Sequence, residues 1–414
     1  MTIAIKNARI IEATGAEPIA DGVVIVEGEH IAAAGPSHVV KVPAGNDVQV
    51  IDAEGGTVLP GLMDMHVHIV GEVAVEERLE GFTPRVVTAH MLRVMNALED
   101  VVRGGVTTLR ECGFPHHGVF ALREAINEGR CLGPRLFLSG RALTATGGHG
   151  ASISVQVDGS DAVRKAARVE MKAGADWIKL MATGGTATPG ERTLDVQLTV
   201  AEMAAAVDEA HRRGKKTCAH CSCLEGARAL VEAGVDSVEH GIVLDDGVVQ
   251  DMVNKGIWLV PTLKCTAIEA ESGPESGIAD FIREKGREIY KTQMRSFQRA
   301  LAAGVQIAAG TDAGPHYLPL GRESLVLELA FMVELDMTPL AAIESCTRQA
   351  ARLLGVKDTS GTLEEGKLAD ILLVDGNPLE DVTMLNRVRW VMKGGQFIES
   401  GSRQTRESSK PGAE

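Results

Sequence analysis

The chain contains no run of about 18 consecutive apolar residues, so no segment reads as a membrane-spanning helix. Its first residues, Met1-Thr2-Ile3-Ala4-Ile5-Lys6, lack a basic stretch followed by an apolar core and a cleavage site, and a secretory leader is not expected. Base is scarce as well: 42 Lys and Arg stand against 56 Asp and Glu, for a net charge of -14. No basic stripe could track phosphates, which argues against a nucleic-acid partner. Neither G-x-x-x-x-G-K-[ST] nor G-x-G-x-x-G is present, so Gly184-Gly185 resembles a phosphate-cradling turn only superficially. The seven cysteines, at 112, 131, 218, 221, 223, 265 and 346, are odd in number and scattered, unlike a disulfide framework. Cys218 and Cys221 have C-x-x-C spacing, but no second such pair follows, and a strand would place them on opposite faces. These absences predict a soluble, cytoplasmic protein in a reducing compartment.

Chemistry begins at Gly61-Leu62-Met63-Asp64-Met65-His66-Val67-His68, where two histidines one residue apart on a strand project from one face as a pair of imidazole ligands. Four further candidates are read at the C-terminal ends of apolar, strand-like runs: Lys179 in Trp177-Ile178-Lys179-Leu180-Met181-Ala182, His220 in Lys216-Thr217-Cys218-Ala219-His220, His240 in Asp236-Ser237-Val238-Glu239-His240-Gly241, and Asp312 in Ile307-Ala308-Ala309-Gly310-Thr311-Asp312. Helical patterns separate these runs, as an alternating βα chain requires. In a (β/α)8 TIM barrel every strand's C-terminal end opens on one mouth, so residues distant in sequence converge there.

The ordered set of His-x-His, a strand lysine, two single histidines and Thr-Asp resembles the amidohydrolase superfamily. Within it, the likeness is to metal-dependent dipeptidases, N-acyl amino acid hydrolases and imidazolonepropionase-like enzymes. The match runs from Ile3 to about Ser400. The resemblance implies two divalent metal ions, zinc by default, with His66 and His68 holding the first and His220 and His240 the second. It also implies that Lys179 is carboxylated, giving a carbamate that bridges both ions. The alternative for Lys179 is an ion pair with Asp195 or Asp312. Two ions sharing a hydroxide would supply the nucleophile. Asp312 would ligate the first ion, take the proton as a carbonyl is attacked, and pass it to the departing amine. His149, in Thr146-Gly147-Gly148-His149-Gly150, is the candidate oxyanion donor or substrate-binding group, with a solvated loop histidine as its alternative. His316 and Tyr317 are candidates for contacts with the leaving group, or for loop packing.

Residues 1–56 and 358–400 carry short strands broken by Gly, Asp and Pro, which read as antiparallel and, being too short for a core each, as one composite β-sandwich. Residues 57–357 would form the barrel, and 401–414 a disordered tail. Thr199-Val200-Ala201-Glu202 is a capping box opening a helix to Arg213, and Thr338-Pro339 opens another that stops at Gly355. Dipeptidases of this branch carry a tyrosine two residues after the fifth-strand histidine, where this chain has Ser222, and a charged residue after the His-Gly loop, where it has Ala151-Ser152. The expected reaction is hydrolysis of an amide-like C–N bond in a dipeptide or N-acyl amino acid. Aryl ureas, aryl amides and carbamates are alternative substrates, followed by cyclic amides, and a metal-binding scaffold is the non-enzymatic alternative. The resemblance further implies a homo-oligomer.

Overall fold

The structure is a computed structural model that describes residues 2–69, 83–314 and 317–398, so the expected tail over 401–414 lies outside the described residues. The chain opens with β1 (Thr2–Ile10), β2 (Ile19–Glu27) and β3 (His30–Pro36), which pair antiparallel. β4 (Val48–Asp52) and β5 (Thr57–Pro60) then run parallel to β1, so the segment expected to be wholly antiparallel is mixed. The two share one edge of β1: β4 faces Thr2–Lys6 and β5 faces Arg9 and Ile10. Between those stretches Asn7 takes φ 55°, a left-handed conformation that asparagine tolerates better than most residues.

Next come β6 (Leu62–Val67), β7 (Val106–Glu111), β8 (Arg135–Leu138), β9 (Ala142–Thr144), β10 (Ser154–Gln156), β11 (Trp177–Met181), β12 (Lys216–Cys221), β13 (Ser237–His240) and β14 (Trp258–Val260). Every pairing among them is parallel, in the orders β6-β7-β8 and β10-β9-β11-β12-β13-β14. Parallel neighbours need a crossover, and helices such as Pro84–Arg103, Val200–His211, Leu224–Ala233 and Asp246–Lys255 supply it. The amide of Asp176 donates to Leu138 O at 2.7 Å, which ties β8 to the start of β11. Leu259 N to Gln306 O and Met65 N to Ala309 O, each 2.9 Å, set residues 306–309 between β14 and β6. This is a TIM-barrel-type α/β fold.

β15 (Ile371–Val374), β16 (Val388–Lys393) and β17 (Gln396–Ile398) return to the first sheet, with β15 antiparallel to β5. The result is one eight-stranded sheet built from both ends of the described chain. Its core of Ile3, Ile5, Ile10, Val24, Ile371 and Leu373 is separate from the large cluster between the parallel strands and their helices. A third cluster, with Met63, Met65, Cys112, Trp177, Cys218 and Trp258, fills the space inside the parallel strands.

The capping box at Thr199 is formed, with Thr199 accepting from Glu202 N and Glu202 accepting from Thr199 N. The helix expected from Thr338 to Gly355 is instead two, Pro339–Ser345 and Arg348–Leu354. The break has two visible causes. Cys346 O is claimed by Met63 N of β6 at 2.7 Å, and the Thr347 hydroxyl donates to Ile343 O at 2.7 Å in competition with the helical backbone.

Asp370 fastens the terminal sheet to the parallel strands. Its carboxylate pairs with Arg135 of β8 and accepts from Gly394 N, while its carbonyl accepts from Gly61 N just ahead of β6. Asp370→Ala is expected to destabilise the protein by about 1–3 kcal/mol, read as a lower urea midpoint at unchanged m-value.

Candidate functional site

β6 ends where the strand's pleat delivers His66 and His68, and the backbone there is crowded. A Cβ on Gly314 would lie 2.1 Å from His68 O, so only glycine lets the Asp312 loop close over this strand. Asp64 sets the register, accepting from His66 N, Thr311 N and the Thr311 hydroxyl at 2.7–3.2 Å. Asp312 N in turn donates to His66 O at 2.7 Å. His240, Thr262 and Asp312 all take left-handed φ, at 67°, 48° and 59°. Such backbone costs on the order of 1 kcal/mol per residue and persists only where the surroundings enforce it.

The histidine rings form a connected series. Centroids lie 5.3 Å apart for His66 and His68, 5.0 Å for His66 and His240, 4.5 Å for His240 and His220, and 4.3 Å for His220 and His149. Each of the first four gives one ring nitrogen to the protein. His66 Nδ1 donates to Glu239 Oε2 at 2.7 Å, His68 Nδ1 to Gly113 O at 3.3 Å, and His220 Nε2 to Gly184 O at 2.8 Å, while His240 Nδ1 meets the Thr262 hydroxyl at 2.6 Å. The other nitrogen stays available, and at His66 it is a fully buried Nε2 with no hydrogen bond. Asp312 Oδ1 lies 3.5 Å from that atom and 3.3 Å from His68 Nε2.

Burial, together with neighbouring positive charge, holds His66, His220 and His240 well below the ordinary histidine range, so they are neutral with free lone pairs. Burial raises the Asp312 carboxyl, but nearby positive charge, Lys179 included, and a hydrogen bond from His68 bring it below the usual carboxylate range. Ligand atoms of His66, His240 and Asp312 lie within 4.8 Å of one another. Neutral imidazoles, an orphaned buried nitrogen and a carboxylate are a donor set that fits a divalent cation. Lys179 is 1% exposed, its charge is felt by all three of those residues, and it makes no ion pair among the described residues, with Asp195 and Asp312 included.

Of the substrate candidates, His149 joins the group. Its ring stacks on His220, Nδ1 donates to Glu191 Oε1 at 2.5 Å, and its backbone N donates to Gln197 Oε1 at 2.8 Å. Gln197 Nε2 closes the circuit on Glu191 Oε2 at 2.9 Å. The Ser222 hydroxyl is buried 3.1 Å from His220 Nε2. Tyr317 turns its hydroxyl to Glu269, and His316 lies outside the described residues. His211 meets Asp236 at 2.8 Å in the last turn of its helix.

Sequence reasoning missed Glu239 and Arg110. Glu239 Oε2 accepts from both His66 Nδ1 and Arg110 Nη2 at 2.7 Å, and Arg110 also reaches Met65 O and Ser237 Oγ while lying over the Trp177 ring. Both charges are 0% exposed. Their strands, Val-Thr-Thr-Leu-Arg-Glu and Ser-Val-Glu-His, are fully buried yet mostly polar, so neither charge stood out in the sequence. Glu269 was missed too. It is 3% exposed, and burial pushes its carboxyl up to about 7 against hydrogen bonds from Tyr317 and Thr186. Arg110→Met would leave Glu239 an uncompensated buried charge, with an expected loss of about 3–5 kcal/mol of unfolding free energy in urea titration.

The arrangement has relatives. The amidohydrolase family model matches residues 57–398. Ochratoxinase of Aspergillus niger is 30% identical over 374 residues, covering 82% of this chain and 75% of the relative. Imidazolonepropionase of Geobacillus kaustophilus is 27% identical over 428 residues, covering 92% and 90%. Among solved structures, an Xaa-Pro dipeptidase with bound methionine in the active site superposes with a TM-score of 0.85 at 30% identity, covering 96% of this chain and all of the other. With that match across the parallel strands and their site, this chain belongs to the amidohydrolase family, a family of hydrolases acting on carbon–nitrogen bonds.

Proposed function

We propose that this chain is a binuclear metal-dependent amidohydrolase that cleaves the amide bond of a dipeptide or an N-acyl amino acid. The observation that carries the reading is the buried His66 Nε2, without a hydrogen bond and facing Asp312 beside His240. In this reading β6 to β14 and residues 306–309 close a ring, residues 57–357 form that barrel, and the terminal sheet folds as a β-sandwich domain of residues 1–56 and 358–400.

His66, His68 and Asp312 would hold one ion, His220 and His240 the other, with zinc the expected metal. Lys179 as its carbamate would lie between them. A buried, unpaired ammonium among metal ligands is costly, whereas a carbamate is an anion with two oxygen donors. When bound, the divalent ions would supply Lewis acidity and a water acidified toward neutrality. Asp312, ionised and held by His66 and His68, accepts the proton and returns it to the departing amine. His149, its Nδ1–H given to Glu191, would serve the developing oxyanion as an imidazolium, donating from Nε2–H. The names of ochratoxinase and Xaa-Pro dipeptidase support an acyclic amide of an amino acid as substrate. Ser222, a small uncharged residue buried against His220 where dipeptidases of this branch carry a tyrosine, supports aryl amides and carbamates as the second substrate class.

Metal-reconstituted protein should turn over members of a panel of dipeptides, N-acyl amino acids, aryl ureas and carbamates. Turnover confined to cyclic amides would reject the substrate assignment. Asp312→Asn is expected to keep bound metal by elemental analysis while kcat falls about 10²–10⁴-fold. Chelation should abolish wild-type turnover and added Zn²⁺ or Mn²⁺ should restore it. Protein that is metal-free as purified and indifferent to chelator would end the proposal.

A further inference from the structure

We propose that Glu269 is a subsite for a positively charged ammonium group on the substrate. This rests on the hydrolase reading above and narrows its substrate class.

Glu269 lies on the helix Leu263–Glu271 that follows β14. Thr186, seven residues after Lys179, and Tyr317, five after Asp312, both donate their hydroxyls to its Oε1, at 3.1 and 2.8 Å. Its Oε2 takes no hydrogen bond from the described residues, and no Lys, Arg or His among them forms an ion pair with it. Lys285 is close enough to influence Glu269, yet it gives its hydrogen bonds to Gly185 O and Thr188 O at 3.2 and 2.8 Å.

Other buried carboxylates here are answered by charge or by backbone amides. Glu239 has Arg110 and His66, Glu209 has Arg168, and Glu328 accepts from Leu263 N and Lys264 N at 2.9 and 2.7 Å. Glu269 has only two neutral hydroxyls on one oxygen. Its position bears on the chemistry: Cys265, one turn earlier on the same helix, is near enough to Asp312 to be influenced by it, and the Asp312 charge is felt at Glu269 itself. A buried carboxylate without a charged partner, under the influence of a second one reserved for the reacting centre, favours a cation. The loop that follows β11 and the segment just after Asp312 supply the two hydroxyls, so the subsite borders the candidate metal ligands.

The ammonium could be the free α-amine of a dipeptide or a basic side chain, and matched substrates separate these sources. A dipeptide is compared with its N-acetyl derivative, and an N-acyl-lysine with the corresponding N-acyl-norleucine, using metal-reconstituted wild type and Glu269→Gln. In one pair the wild type should prefer the cationic member, and Glu269→Gln should lower that cationic-to-neutral ratio of kcat/KM about 10–100-fold, as expected for a hydrogen bond to a charged group. Glu269→Asp, which keeps the charge, should retain part of the preference and serves if the Gln variant does not fold. The pair that responds identifies the source. Absence of a wild-type preference in both pairs, or equal losses on both members, would overturn the subsite. If no substrate is turned over, the hydrolase reading fails by itself. The subsite is then decided by calorimetric Kd values for lysinamide against norleucinamide, and equal values for wild type and Glu269→Gln would overturn it.

Discussion

A guanidinium and a carboxylate sealed inside the parallel strands are the constraint on which the site depends. Arg110 holds Glu239 through two hydrogen bonds, and Glu239 then fixes which nitrogen of His66 carries the proton. With Nδ1 committed, Nε2 is left as a lone pair in a place from which water is excluded. Buried ion pairs are poor sources of net stability, since desolvation offsets most of their attraction. This pair sits under the ligand His66, and its effect there is to orient. The backbone is arranged to the same end: Asp64 clamps β6 to the Thr311-Asp312 turn, and left-handed His240 and Asp312 swing their side chains off the ends of their strands.

The alternation of His66 and His68, and the nearness of His220 and His240 to the ends of β12 and β13, were legible from strand period, whereas Lys179 sits in the middle of β11 and Asp312 beyond any strand. The amidohydrolase relationship was legible too. Glu239 was not, although it adjoins His240, because a single glutamate in a four-residue strand carries no spacing signal and its partner lies 129 positions away. Glu269 was hidden for a different reason: an acidic residue on a helix ordinarily faces water, and this one is buried by distant residues, Thr186, Gly286 and Tyr317 among them. The split of the helix after Ser345 was invisible because the carbonyl that breaks it is claimed by a strand some 280 residues earlier. The parallel pairing of β1 with β4 and β5 was likewise decided by which edge stayed open, a question that local patterning does not answer.

Tyr317 shows how a correct neighbourhood differs from a correct contact. It does lie at the mouth, but its hydroxyl is directed to a carboxylate that the sequence had not marked, and the histidines are positioned without it. The group closest in character to a catalytic helper is His149, held by a ring of Gln197 and Glu191 and stacked on His220. Rigid support of this kind is what a donor to a transient charge requires, because reorganisation at the moment of reaction would forfeit most of its effect.

The eight-stranded sheet imposes a schedule on biosynthesis. β5 is flanked by β1 on one edge and by β15 on the other, and β6 begins two residues after β5 ends. Gly61 and Met63 bond to carbonyls of Asp370 and Cys346, residues translated some three hundred positions later. A nascent chain on the ribosome can pair β6 with β7, but it cannot complete the bonds of Gly61 and Met63 until residues 346 and 370 have emerged. Completion of this part of the fold is in consequence a late event, slow in the way that folds dominated by distant pairings are slow.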